Sequence, residues 1–129
     1  MNLSQNNPLM KSSISFDFQN LEVYKKANDF YLECKTLVIT SSIEDVIKDQ
    51  LGRASLSIPL NIAEGAAKFS AAHRKNFFVT ARGSVYECVA ILDVLRNTKT
   101  ITEKVYESLV SKAAEISKIL FVMIKNLNT

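Results

Sequence analysis

Polar side chains that could do chemistry form a stripe along one stretch of the sequence. They recur at steps of three and four residues, a spacing that places them on one face of a helix. Its arginine and the glutamate eleven residues later are about 16 Å apart along a helix, so they cannot pair with each other. If that arginine is buried, it needs a partner on another helix or another chain. The stripe consists of Gln50, Arg53, Ser57, Asn61 and Glu64.

Two polar residues of the next helical segment face this stripe if the two helices run antiparallel about a turn near residues 69–70. That arrangement places Arg53 level with Glu87 and Ser57 level with Arg82. Two interpretations remain open. One is a partly buried network that fixes the helix register or a subunit interface, and the other is a ligand or nucleic-acid site. The network is the leading prediction, for Gln50, Arg53, Ser57, Asn61, Glu64, Ser84 and Glu87.

The net charge of +3 is unevenly distributed along the chain. Residues 48–82 contain six basic and two acidic side chains. These cations either pair with acids on other helices, which is the leading interpretation, or bind a polyanion such as RNA or DNA. Lys118 and Lys125 lie toward the end of the last helix, where cations complement the helix dipole. The candidate nucleic-acid-binding residues are Arg53, Lys68, Arg74, Lys75 and Arg82.

Residue patterns typical of enzymes are mostly missing from the sequence. His73 is the single histidine and has no glutamate three residues before it, so the Glu-x-x-His motif of di-iron bundles cannot form. Cys34 and Cys88 fall on apolar helix faces, which predicts thiols packed in the core. The glycines are too scattered for a phosphate-binding loop. We therefore predict no enzymatic activity, no cofactor and no metal site.

Long helices must position these residues. Three glycines and two prolines in 129 residues are about 4% of the chain, against a usual share of roughly 12%. The helical period predicts an all-α fold, an antiparallel up-down-up-down four-helix bundle. Within the second helix, Pro59 predicts a kink, and Gly52 and Gly65 permit close approach of another backbone. The predicted segments are a flexible arm at 1–15, a bundle domain at 16–129, and helices at 17–39, 43–68, 71–96 and 102–126.

Apolar residues exceed what one buried stripe per helix can use, and such a surplus predicts a homo-oligomer. The longest apolar run, residues 119–124, is far shorter than the ~20 residues that span a bilayer. With two cysteines and no signal sequence, the protein is expected to be cytoplasmic and to have no membrane partner. The surplus consists of Tyr24, Phe30, Tyr31, Val38, Phe78, Val79, Phe121 and Val122.

The segment Gln50–Gly65, QLGRASLSIPLNIAEG, resembles the signature of small proteins encoded in intervening sequences of bacterial 23S ribosomal RNA genes. That family includes the accessory variability determinant of diversity-generating retroelements. Two weaker matches are Phe18–Tyr24 and Gly83–Glu87. The chain departs from the family at Gly52, where a second basic residue is common, and at Thr40–Ile43, which replaces a Phe-Pro pair.

This resemblance implies a four-helix bundle that assembles into a homopentamer. In the retroelement branch it also implies a basic surface that contacts nucleic acid and a reverse transcriptase. The signature does not separate the two branches. The leading hypothesis is a non-enzymatic homo-oligomer that binds nucleic acid or a nucleoprotein partner. The alternative is a protein-interaction scaffold with no nucleic-acid binding.

Overall fold

The structure, a computed structural model, describes residues 14–127. Within that range it contains four long helices and no strand, consistent with a four-helix bundle. The predicted arm at 1–15 lies outside the described residues except for its last two. In chain order the elements are a 3-10 helix at Asp17–Asn20, α1 at Glu22–Thr40, α2 at Asp45–Ala67, α3 at Ala71–Asn97 and α4 at Glu103–Asn126.

The first long helix begins later than the sequence predicts. Asp17, its predicted start, belongs to the separate 3-10 helix, in which the Gln19 side chain accepts a hydrogen bond from the backbone N–H three residues earlier. Leu21 is extended and separates this turn from α1. The ring of Phe18 packs edge-on against Tyr24, with 4.8 Å between ring centroids, and so holds the turn against α1.

Side-chain caps fix where α3 and α4 begin. The Ser70 hydroxyl accepts a hydrogen bond from the N–H of His73, and the Thr102 hydroxyl accepts one from the N–H of Val105, each at 3.1 Å. Each cap satisfies one of the N–H groups that have no partner within the helix. Because α3 begins directly after a short turn, its first basic residues lie at one end of the bundle.

One hydrophobic cluster with members from all four helices forms the core. Burial of each large side chain contributes about 1.5–3 kcal/mol. Phe30 and Phe78, which the sequence placed in the apolar surplus, belong to this core and are 0% and 5% exposed. Val79, Phe121 and Val122 of that surplus are exposed, and its other members are half-buried. The largest fully buried side chains include Phe30, Leu51, Ile58, Ile62, Leu92, Leu95, Ile116 and Leu120.

Gly65 allows α2 and α3 to pack closely. A Cβ atom at Gly65 would lie 2.6 Å from Cε1 of Phe78, so the close contact is with a ring and not with another backbone. At Gly52 no atom of the described chain lies within 4 Å of such a Cβ, so no other helix of the described chain packs closely there. Pro59 lies inside α2 and is buried.

Cross-helix contacts show which helices are neighbours. Both α1 and α3 contact α4, and α2 and α3 share the most extensive contact. In the α1–α4 and α3–α4 pairs, residue number rises along one helix as it falls along the other. The contacts are Lys26–Glu115 and Glu33–Lys112 between α1 and α4, and Arg82–Ser117 and Asp93–Tyr106 between α3 and α4.

Candidate nucleic-acid interface

Three members of the predicted polar network meet between α2 and α3. The hydroxyls of Ser57 and Ser84 are 2.8 Å apart. The side-chain amide of Asn61 donates to the backbone carbonyl of Ser57 at 2.8 Å and to its hydroxyl at 2.9 Å. Ser84 is buried, and the other two residues are half-buried. The Ser57–Ser84 bond joins the two helices at one register, and the bonds of Asn61 orient Ser57 within α2; both roles are structural.

The other four predicted members do not join this cluster. Gln50, Glu64 and Glu87 are exposed, and the Nε of Arg53 donates to a carboxylate oxygen of Asp49 at 2.8 Å on its own helix. The side chains of Arg53 and Asp49 are 78% and 62% exposed. Because Arg53 is not buried, it needs no partner on another helix, and an exposed pair of this kind contributes at most about 1 kcal/mol.

The register between α2 and α3 also differs from the predicted one. The structure pairs Ser57 with Ser84, whereas the sequence placed Ser57 level with Arg82, two positions earlier on α3. Glu87 is exposed, and the Nε of Arg82 donates to the carbonyl of Ser117 on α4.

The five predicted cations occupy two separate regions. Arg53 lies beside α1, in a shallow depression that also contains Tyr31 and Lys35. Lys68, Arg74 and Lys75 lie around the turn between α2 and α3, and Arg82 follows further along α3. The structure therefore groups four of the candidates on the α3 side of the molecule and separates Arg53 from them.

These four cations have no acidic partner in the part of the chain that the structure describes. Among residues 14–127, no carboxylate lies within 4 Å of the charged groups of Lys68, Arg74, Lys75 or Arg82. The interpretation that the cations of this segment pair with acids on other helices is therefore wrong for these four residues. Within the described range, the basic side chains that form ion pairs are Lys25, Lys26, Arg53, Arg96 and Lys112.

Aromatic rings hold Arg82 in place. Its guanidinium carbon is 5.0 Å from the ring centroid of Tyr86 and 5.4 Å from that of Phe121. Its Nη2 donates to the Tyr86 hydroxyl at 3.1 Å, and its Nε donates to the carbonyl of Ser117 at 3.4 Å. Cation–π contacts and neutral hydrogen bonds orient a guanidinium without cancelling its charge. Arg82 is therefore a positioned cation whose charge no carboxylate of the described residues balances.

Two cations of α4, Lys118 and Lys125, lie on the same side of the molecule as Arg82. The sequence assigned them only a role in complementing the helix dipole. Lys118 lines the same groove as Arg82. Lys125 is seven residues further along α4, about 10.5 Å or two turns, so it lies on the same face as Lys118. The same spacing separates Lys75 from Arg82 on α3. This shared seven-residue spacing was the available sequence signal, but it has meaning only once α3 and α4 are known to be neighbours.

We call this surface the α3–α4 basic face, and it consists of Lys75, Arg82, Lys118 and Lys125. No carboxylate lies within 4 Å of Lys118 or Lys125 in the described part of the chain. Lys68 and Arg74 adjoin the face at the end of the bundle, where Arg74 lines a depression with the last residues of α4. There the Nε of Arg74 donates to the carbonyl of Lys68 at 2.7 Å, which ties the turn to α3.

A groove of about 520 Å³ lies between α3 and α4 within this surface. Its apolar lining is formed by Val85, Val89, Ala90, Val110, Ala113 and Ala114. Arg82, Tyr86 and Lys118 also line it, and Tyr86 is 59% exposed. The opposite end holds Asp93, which accepts a hydrogen bond from the Tyr106 hydroxyl at 2.5 Å. Cations beside exposed rings are typical of surfaces that bind nucleic acid.

The groups that could support metal or nucleophilic chemistry lie elsewhere. Within residues 14–127, no three His, Cys, Asp or Glu side chains are close enough to hold a metal ion. Burial raises the pKa of the Cys34 thiol to about 12 and also raises the pKa of Cys88. Both cysteines are in the core, as predicted. No helix in the described range is long and apolar enough to cross a membrane.

Two comparisons show which known proteins this chain resembles. A family model described as 23S rRNA-intervening sequence protein matches residues 19–122, which include the segment Gln50–Gly65. A crystal structure of a protein of unknown function from the S23 ribosomal protein family of Bacteroides thetaiotaomicron is also similar, with a TM-score of 0.76 and 29% sequence identity. The similarity covers 80% of this chain and 98% of that one. No curated protein matches the chain.

Proposed function

The chain belongs to the 23S rRNA-intervening sequence protein family, and we propose that it is a non-enzymatic protein that binds nucleic acid along the α3–α4 basic face. One observation supports this proposal above all others. Lys75, Arg82, Lys118 and Lys125 have no carboxylate within 4 Å in the described chain. An anionic partner would supply the missing counter-charges, and a polyanion would supply several at once.

The spacing of these cations suits a phosphate backbone. Lys75 and Arg82 are seven residues apart on α3, about 10.5 Å, and their long side chains can reach different phosphates of one strand. Lys118 and Lys125 repeat this spacing on α4. A nucleic acid lying along the seam between the two helices can therefore contact both rows.

The remaining parts of the proposal have two sources. The sequence pattern predicts an antiparallel up-down-up-down bundle and a cytoplasmic location. The family resemblance implies assembly into a homopentamer and, in the retroelement branch, a reverse transcriptase as a partner. Apolar side chains that a subunit interface could bury are exposed on the outer side of α2, away from the basic face. They are Val46, Leu56 and Leu60.

A titration by fluorescence anisotropy, with structured RNA and with duplex DNA at several salt concentrations, tests the binding proposal. Binding should be measurable at low salt and should weaken steadily as salt rises, because phosphate contacts release counter-ions. Lys118→Ala should weaken binding. Lys112→Ala is the matched control, because it removes the same charge from the same helix at a residue that pairs with Glu33 of α1.

The alternative is a protein-interaction scaffold that binds no nucleic acid. The version of this alternative with internal ion pairs loses support. Arg53 and Glu87 are exposed, and neither forms an ion pair with another helix in the described chain. The version of this alternative with subunit contacts is still supported by Val46, Leu56 and Leu60, which are exposed on α2. If no nucleic-acid probe binds at the lowest salt while light scattering shows an intact oligomer, the scaffold replaces our proposal.

A further inference from the structure

The groove between α3 and α4 has a property that phosphate binding alone does not require. Phosphates are bound by charges, yet most of the groove lining is apolar, including Val85, Val89, Val110 and Ala113. Its volume of about 520 Å³ lies within the usual range of pockets for small ligands, ~300–1,000 Å³. A flat apolar group attached to the polyanion would fit this lining.

We infer that the groove binds an unpaired base of a single-stranded nucleic acid, an inference that rests on the proposed function. A base in single-stranded nucleic acid can turn outward and stack on aromatic or guanidinium planes, whereas a base in a duplex cannot. The exposed ring of Tyr86 and the guanidinium of Arg82 provide such planes at the groove.

Charge at the groove fits the phosphates on either side of that base. Arg82 and Lys118 both line the groove, and neither has a carboxylate partner in the described residues. The hydrogen bonds of Arg82 to Tyr86 and Ser117 hold the guanidinium beside the ring before any ligand binds. A phosphate on Arg82 therefore brings the adjoining base to the apolar lining.

The opposite end of the groove can contact the polar edge of the base. The carboxylate of Asp93 lines that end and accepts a hydrogen bond from Tyr106. A carboxylate has further acceptor capacity beyond one bond. It can accept a hydrogen bond from an N–H group on the polar edge of the base.

Tyr86→Trp provides a direct reporter, because the chain contains no tryptophan. Tryptophan emission should be quenched by a short single-stranded oligonucleotide, because a base stacks on the ring. It should not change with a duplex of the same sequence or with a strand of equal length made of abasic sites. Equal quenching by all three probes would overturn the inference.

Filling the groove gives a second, independent test. Ala114 lines the groove and is exposed, so leucine has room at this position but occupies the space proposed for the base. Ala114→Leu should weaken single-strand binding about tenfold, a loss of affinity within the range expected when one base no longer stacks on an aromatic side chain. Duplex binding should not change. Ser111→Leu is the matched control, because it adds the same side chain to α4 at an exposed residue that does not line the groove.

The outcomes separate this inference from the proposed function. If single strand, abasic strand and duplex bind equally well and Ala114→Leu changes none of them, the base site is wrong and the phosphate-binding face stands. If no probe binds at low salt, the proposed function fails and the inference fails with it. If Ala114→Leu does not fold, the quenching of Tyr86→Trp decides the question alone.

Discussion

Replacing Arg82 with alanine removes a charge from the α3–α4 basic face without breaking an ion pair. Its guanidinium contacts the rings of Tyr86 and Phe121 and the carbonyl of Ser117, but no carboxylate of the described chain. The substitution therefore has one effect on stability, through the rings, and a separate effect on binding, through the charge. The two can be measured independently.

The structure sets the size of both effects. Two cation–π contacts at exposed rings contribute about 0.5–1 kcal/mol each, so Arg82→Ala should lower the free energy of unfolding by about 1–2 kcal/mol. For a domain of this size that is roughly 4–8 °C in Tm. Loss of one charged contact to phosphate should cost about 1.5 kcal/mol, or about tenfold in affinity, and should reduce the salt slope by about 0.7–0.9.

Arg82→Lys separates the two effects, because lysine keeps the charge and lacks the planar guanidinium that the rings hold. It should lower Tm and retain most of the wild-type salt slope. The assays are thermal unfolding by circular dichroism and anisotropy titration at several salt concentrations. The reasoning is refuted if Arg82→Ala lowers Tm while affinity and salt slope stay at wild-type values, since Arg82 is then only a packing residue.

Two further predictions concern the helices and the far end of the groove. Gly65→Ala should destabilise the fold by about 1–3 kcal/mol in a denaturant titration, because the added methyl group would overlap the Phe78 ring. Gly52→Ala has open space at its Cβ and should stabilise the fold by about 0.5–1 kcal/mol. A loss of stability in Gly52→Ala would contradict the structure. The hydrogen bond to Asp93 raises the pKa of Tyr106. In an alkaline absorbance titration, Tyr106→Phe should therefore remove a component that deprotonates above the ordinary tyrosine value, and an unchanged curve would contradict the bond.

The sequence predicted the helices well, because the spacing of apolar residues reports directly on the helical period. Four long helices appear in the described chain, and the cysteines lie in the core. Boundaries were less predictable, because local hydrogen bonds decide them. At Asp17 the helical pattern begins, but the side chain of Gln19 closes a 3-10 helix there, and α1 starts only after Leu21.

The candidate site was only partly predictable, because it depends on the register between helices. Ser57 meets Ser84, which lies two residues from the predicted register, and Glu87 is exposed. Phe78 shows the same difficulty, since its burial against Gly65 requires knowing which residues of the two helices meet. Lys118 was missed because it becomes part of a basic face only when α4 lies beside Arg82.

The salt dependence of nucleic-acid binding by the wild-type protein tests the central claim most directly. If the four cations of the α3–α4 basic face contact four phosphates, the logarithm of the affinity should fall against the logarithm of salt concentration. The slope should be about −3.6 for a duplex and about −2.8 for a single strand. A slope near zero, or no binding at the lowest salt, would contradict the claim that these unpaired cations bind a phosphate backbone.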